Sequence, residues 1–206
     1  MQITEIKQQV KQKSRYSIFI DKKYSFSLSD SQIRSSGLKL KQELTEAEIT
    51  KWKRESTDGK MFDMTLRWLA IRPRSRGELN DYFRKKQIEE DTAYKITEKL
   101  EGFGYLDDRA FAESWVRNRR LLKKVSIRRL RQELSQKRVE QDIIQQVLAD
   151  DEKNDLDTLK ELIEKKSHTS KFKDEQKFMA FLARQGFSYA DIKQALEEYK
   201  DINSPG

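Results

Sequence analysis

The chain has 206 residues, of which 35% are hydrophobic and 38% charged, against roughly 45–50% and about 25% in an ordinary globular domain. One large core is therefore excluded, and thin modules with much surface are expected. With no cysteine and a single histidine, His168, disulfides, thiolate nucleophiles, zinc sites and histidine-based triads drop out, so an enzyme and a resident metal or cofactor are not expected. The 20 aromatic residues argue against disorder. No apolar run approaches the roughly 20 residues of a membrane span, and the opening MQITEIKQQVKQ lacks a signal-peptide h-region, which predicts a cytoplasmic location. Net charge +8 with pI 9.4 points to a polyanionic partner or an acidic groove.

Residues 1–57 read as a small sheet module. Ile3, Ile6 and Val10, then Tyr16, Ile18 and Ile20, then Tyr24, Phe26 and Leu28 alternate with polar residues as half-buried strands do, with Asp21-Lys-Lys23 as a hairpin turn. Thr45-x-x-Glu48 is a capping signal for a short helix ending near Arg54.

From about residue 60 the pattern is helical and recurs. Ile88, Val139 and Phe187 stand 51 and 48 residues apart. Five residues before them come Phe83, Leu134 and Leu182; nine before, Leu79, Leu130 and Phe178; thirteen before, the N-cap types Ser75, Ser126 and Asp174. In the first repeat Ser75-x-x-Glu78 is a capping box. Five and eight residues after the anchors, Ala93 and Ile96, Ile144 and Val147, Ile192 and Ala195 mark a further helix. A preceding helix is expected over 62–72, 109–123 and 156–166, the first of them ended by Pro73. The fold class is thus mainly α: three tandem three-helix repeats, helix-turn-helix-like, over 58–106, 107–151 and 152–202, behind the N-terminal β-hairpin module.

Charge is uneven. Basic against acidic residues number 12 to 7 over 1–57, 10 to 9 over 58–106, 11 to 8 over 107–151 and 10 to 11 over 152–206. The fifteen residues 117–131 hold Arg117, Arg119, Arg120, Lys123, Lys124, Arg128, Arg129 and Arg131, and no acid. A solvated face normally mixes signs; unmixed sign is the footprint of polyanion contact. At 100° per residue Phe111, Trp115 and Leu122 share one face, with Arg117, Arg120 and Lys124 opposite. Arg128 and Arg129 fall in the first turn behind Ser126, where the helix dipole favours acids, so this helix start is expected to be an anion site. Arg72, Arg74 and Arg76 surround Pro73 in a short connection, positioned either to grip carboxylates and phosphates or to finish a helix. Asp107 and Asp108 read as a helix cap rather than a metal site, and His168 as an exposed linker residue. The third helices carry Glu89, Glu90, Asp91, Glu98 and Glu101, then Glu140, Asp142, Asp150 and Asp151, then Asp191, Glu197 and Glu198. That is the wrong sign for reading a DNA groove.

Three stretches, LRWLAIRPRSRGEL from Leu66, GYLDDRAFA from Gly104 and IRRLRQEL from Ile127, in this order and spacing, resemble the RecX regulatory family. The match is best over residues 60–150. The resemblance implies tandem three-helix repeats in an elongated arc, and no catalytic residues. It also implies a role in homologous recombination and the DNA-damage (SOS) response through binding RecA and its filaments on single-stranded DNA. The usual effect there is inhibition of strand exchange, ATP hydrolysis and co-protease activity. The chain departs from the family at turn positions that usually hold glycine, where Val125, Gln87 and Arg138 stand. The partner surface expected from this is the eight cations of 117–131 with Arg72, Arg74 and Arg76, on a monomer with at most weak direct binding of single- or double-stranded DNA and no membrane contact. The competing reading is a tandem helix-turn-helix-like protein acting on naked DNA.

Overall fold

The computed structural model describes residues 1–151, 154–169 and 174–203. Strands β1 (Ile3–Gln8), β2 (Arg15–Ile20) and β3 (Lys23–Ser29) come first, followed by helices α1 (Asp30–Ser36) and α2 (Glu46–Leu69). Then follow α3 (Arg76–Lys85), α4 (Glu90–Gly102), α5 (Asp108–Leu122), α6 (Ile127–Gln136), α7 (Gln141–Ala149), α8 (Asp155–Ser167), α9 (Glu175–Arg184) and α10 (Tyr189–Asn203). The fold is thus mainly helical behind a small N-terminal sheet. The chain forms two compact units, Met1–Pro73 with Gln87–Leu100, and Arg74–Lys86 with Glu101 onward.

In the first unit the three strands pair antiparallel in the order β1-β2-β3. Asp21 and Lys22 have φ of 47° and 65°, the two left-handed residues of a tight turn whose twist matches the flanking strands. Ile3, Ile18, Phe26 and Leu28 form the fully buried centre, closed by Leu44 and Ile49. Val10, expected in the alternation, lies beyond β1 and is exposed, because the chain turns there to enter β2. Arg15 is buried: its guanidinium reaches Asp63 Oδ2 at 2.7 Å and the Ser27 carbonyl at 2.9 Å, tying β2 and β3 to α2.

The short helix expected to end near Arg54 and the one expected over 62–72 are one helix, α2. Thr45 and Glu48 form its capping box. The turn-like Ser56-Thr-Asp-Gly59 stays helical because each polar group finds a partner. Ser56 Oγ, buried, accepts from the Ser27 amide at 3.2 Å, the Thr57 hydroxyl donates to the Lys53 carbonyl at 3.1 Å, and Asp58 accepts from Thr92 at 3.0 Å.

In the second unit each of two repeats has its own core. Phe111, Ala112, Val116, Leu130, Leu134, Val139, Ile144 and Val147 pack together, as do Leu159, Leu162, Ile163, Phe178, Leu182, Phe187 and Ile192. The expected start of the third repeat at residue 152 lies outside the described residues. Ser75, Ser126 and Asp174 all cap their helices by accepting an amide hydrogen. In the expected Ser75–Glu78 box, Ser75 Oγ accepts from the Glu78 amide, while the Glu78 carboxylate meets Lys137 at 3.0 Å.

The joints between successive repeats follow one rule. The Ser75 hydroxyl donates to the Lys137 carbonyl, and the Ser126 amide donates to the Gln185 carbonyl at 3.1 Å. In both cases the cap of a middle helix docks on the turn after the next repeat's middle helix. A carboxylate completes each joint: Asp108 accepts from the Arg76 amide at 2.6 Å, and Asp155 from the Ile127 amide at 2.8 Å. Each joint also has one glycine. A Cβ on Gly77 would run into the Arg138 side chain and lie 2.5 Å from its carbonyl oxygen, and one on Gly186 would run into the Ser126 hydroxyl. The turn positions themselves are left-handed in all repeats: Gln87 at 53°, Arg138 at 56° and Gly186 at 101°. The non-glycine residues there keep the glycine conformation and do not displace the helix ends.

Candidate interaction surface

Asp107 caps α5, accepting from the Ala110 amide at 2.9 Å, so the Asp-Asp pair divides its work: Asp107 starts its own helix and Asp108 the preceding repeat's. The buried side of α5 runs through Phe111, Ala112, Val116 and Arg120. This is rotated from the expected stripe, because small Ala112 and branched Val116 fit against α6 and α7. Leu122 is consequently 70% exposed, next to Leu121 at 69%.

Where α5 meets α6, Trp115 is the organising side chain. Its indole N–H donates to Glu133 Oε2 at 2.9 Å. The Arg119 guanidinium lies 4.5 Å from the ring centroid and the Lys137 ammonium 5.2 Å, a geometry in which the ring quadrupole attracts cations. Glu133 is mostly buried and gathers two arginines, Arg119 at 2.6 Å and Arg129 at 3.3 Å. Sequence reading singled out both arginines but neither Glu133 nor Lys137. The signal was present, since Arg129 and Glu133 are four apart on one helix.

The other expected site residues divide sharply. Arg117, Lys123, Arg128 and Arg131 are exposed and make no ion pair among the described residues. Arg128 and Arg131, three apart, share the outward side of α6. Lys124 is half-buried and pairs with Glu161; its φ of 52° makes it, rather than Val125, the left-handed residue before the cap. Arg76 is exposed, its guanidinium 3.2 Å from Glu101. Arg74 is half-buried in the connection before α3. Arg72, which belongs to the first unit, is half-buried and donates to the Pro73 carbonyl at 2.8 Å.

Arg120 corrects the expectation of an exposed side chain opposite the stripe. It is 3% exposed. Its Nε donates to Asp151 Oδ2 at 2.7 Å, and its Nη1 to Asp155 Oδ1 at 3.1 Å, the Val125 carbonyl at 2.8 Å and Thr158 Oγ1 at 3.2 Å. It is a structural tie between α5 and the start of α8. The start of α6 is likewise not an open anion site. The acid missing from its own first turn is supplied from the next repeat by Asp155, at the Ile127 amide, and this is why Arg128 and Arg129 are tolerated there.

The acids of the third helices are where the sequence reading put them. Glu89, Glu90, Asp91 and Glu98, then Glu140, Asp142 and Asp150, then Asp191 and Glu197 are exposed. Among the described residues no group of three or more histidine, cysteine, aspartate or glutamate side chains is placed to hold a metal, and no helix is long and apolar enough to cross a membrane. His168 is exposed at the end of α8.

Helical repeats joined by backbone caps, with an outward cationic surface on the middle helix of one of them, define a helical-repeat protein. Comparison with known proteins makes this specific. The model of the regulatory protein RecX N-terminal domain matches residues 1–45, that of the RecX second three-helix domain 107–148, and that of the third 153–196. A regulatory protein RecX of Bacillus pumilus is 33% identical over 97% of this chain and 78% of its own length. One from Listeria monocytogenes is 37% identical over 58% of this chain, a match spanning only 44% of that protein. A crystal structure of regulatory protein RecX superposes with a TM-score of 0.71 at 25% identity, covering 95% of this chain and 98% of the other. The crystal structure of RecX from Lactobacillus salivarius gives 0.54 at 26% identity over 68% of this chain and 95% of the other. The chain belongs to the RecX regulatory protein family, and its relatives are named as regulatory proteins.

Proposed function

We propose that this chain is a non-catalytic cytoplasmic regulator that binds RecA and its filaments on single-stranded DNA, and that it lowers recombinase, ATPase and co-protease activity. The observation that carries this reading is the run 117–131, which holds eight cations and no acid, with Arg117, Lys123, Arg128 and Arg131 turned to solvent and Leu121 and Leu122 exposed in the same run. A surface mixing free guanidinium groups with exposed leucines suits a protein assembly with anionic character better than bare phosphate. Arginine supplies forked, charge-assisted hydrogen bonds of about 1.5–3 kcal/mol each, and the leucines add apolar area that naked DNA backbone would not match. Arg72, Arg74 and Arg76 belong to the proposal as a second cationic stretch.

The test is inhibition of RecA ATP hydrolysis on single-stranded DNA at fixed salt. The double variant Arg128→Glu, Arg131→Glu should inhibit at least tenfold less well, while Lys95→Glu, Lys99→Glu on α4 should inhibit like the parent. The reverse outcome would replace this reading by groove recognition through the third helices. RecA-independent binding to naked DNA with a steep salt dependence would favour a DNA-binding protein instead.

A further inference from the structure

The third repeat differs from the second in sign, and its surface holds a groove that the RecA reading does not use. Between α8 and α10 lies an open cavity of about 550 Å³. One wall is acidic: Asp157, Glu161 and Glu164 follow one another at i, i+4 and i+7 along α8, which aligns them on one edge of the helix. The other wall, on α10, presents Tyr199 and Ile202 as an apolar strip, with Glu198 beside them and Ala195 buried at its base. Ile202 is 81% exposed at the end of this wall, and Ile163 closes the floor.

The charges in the groove are only partly answered. Glu198 is held by Lys160 at 2.7 Å, and the hydrogen bonds from Lys160 and Gln194 keep its carboxyl below the ordinary range. Glu161 meets Lys124. Asp157 and Glu164, both exposed, have no cationic partner among the described residues. An anionic ligand such as nucleic acid or an acidic membrane surface is repelled by this wall. An extended peptide gains little, because two helices offer no unpaired strand edge to add to. A helix fits: the apolar residues of its one face meet Tyr199 and Ile202, and lysine or arginine residues along its flank meet Asp157 and Glu164.

We propose that the groove between α8 and α10 is a docking site for a basic amphipathic helix of a partner protein. The proposal is independent of the cationic surface of the second repeat, and the two are tested by different variants. The probe is a labelled peptide of about 18 residues, five helical turns, with leucines on one face and lysines on the other, titrated with the full chain and read by fluorescence anisotropy. Saturable binding is expected, weakened at least tenfold both by Asp157→Lys with Glu164→Lys and by Ile202→Glu. Arg128→Glu with Arg131→Glu should leave it unchanged. Circular dichroism checks that these exposed substitutions preserve helicity; loss of binding by Ile202→Glu in a fully helical protein cannot be charged to unfolding. Three outcomes overturn the proposal. The first is equal binding of a peptide of the same composition in scrambled order, which would show charge attraction without a groove. The second is peptide binding that the groove variants leave intact. The third is self-association of the chain in sedimentation that these variants abolish, which would make a second copy the occupant.

Discussion

The amide of Arg76 donates to Oδ1 of Asp108 at 2.6 Å, so a first-turn carboxylate of one repeat supplies the negative charge at the start of the preceding repeat's middle helix. Burial pushes the Asp108 carboxyl above its usual range, against the opposing effect of the Arg76 amide; Glu140 and Asp107 push in the same direction as burial. The folded chain therefore binds this proton more tightly than the unfolded one. Stability contributed here is present in full below the ordinary carboxylate pKa and falls as pH rises through the raised value. Asp108→Asn keeps the acceptor oxygen and removes the titration. Melting temperatures followed from about pH 4 to about pH 7 should show the parent losing more stability over the lower part of this range than the variant. Parallel curves would mean that Asp108 does not titrate differently on folding.

The single glycine at each joint gives a second expectation. Gly186 has φ of 101°, and a Cβ there would meet Ser126 and lie 2.7 Å from Arg129 Cβ. Gly186→Ala therefore combines a left-handed strain with a clash across the joint and should cost about 2–3 kcal/mol. Gly77 is helical and gains a little helix propensity, but a Cβ there would run into Arg138 Cβ and lie 2.5 Å from the Arg138 carbonyl oxygen, atoms that cannot swing aside, so Gly77→Ala should cost at least as much. Urea unfolding of both variants checks this, and a clearly smaller loss for Gly77→Ala would mean the joint opens readily at Arg138.

Much of this fold was legible because burial repeats along the sequence. Leu79, Leu130 and Phe178, then Phe83, Leu134 and Leu182 sit at matched offsets and are all buried, and their three caps are observed as read. The differences share a cause: a helix taken alone lacks the partners that the next repeat brings. Arg120 looks solvent-facing on α5 alone, yet Asp151 and Asp155 lie within reach only after α7 and α8 fold back. Arg128 and Arg129 look unanswered in the first turn of α6 until Asp155 arrives from the next repeat. The continuous α2 was missed because Ser56, Asp58 and Gly59 resemble a turn in sequence, while their partners Ser27, Thr92 and Gln32 come from distant elements. Of the site, the cations were legible; which of them are free was not.

Glu133 decides how much of the cationic surface is available. It answers both Arg119 and Arg129 and accepts the Trp115 indole hydrogen. In Glu133→Gln the amide oxygen preserves an acceptor for Trp115, but two charge-assisted contacts become neutral ones. The expected loss is about 1–2 kcal/mol of stability in chemical denaturation. Tryptophan emission should change little, because the ring keeps its packing. Affinity for an anionic partner should rise, because Arg119 and Arg129 lose their shared counter-charge. A variant that is less stable and also a weaker inhibitor of RecA ATP hydrolysis would show that Glu133 orients these arginines rather than restraining them.

Arg120 and Arg128 both belong to the basic run, and they should fail in opposite ways. Arg120 is buried and bound to Asp151, Asp155, the Val125 carbonyl and Thr158. Arg120→Ala leaves the Asp151 side chain, itself mostly buried, without its cation, and breaking such a pair costs about 3–5 kcal/mol. For a chain of this size that is a fall in melting temperature of roughly 6–20 °C. Arg128 is exposed without an ion pair among the described residues, so Arg128→Ala should change stability by no more than about 0.5 kcal/mol. Arg120→Lys separates geometry from charge. It keeps the positive charge but cannot reach two carboxylates and a carbonyl with one forked group, so it should recover only part of the loss. Thermal unfolding followed by circular dichroism, with RecA inhibition measured well below the lowest melting temperature, gives both readings from the same samples. Arg120→Ala should inhibit normally at low temperature and unfold early, whereas Arg128→Ala should inhibit poorly and unfold like the parent. Early unfolding of Arg128→Ala with normal inhibition would mean that its contact is made within the chain and not with a partner.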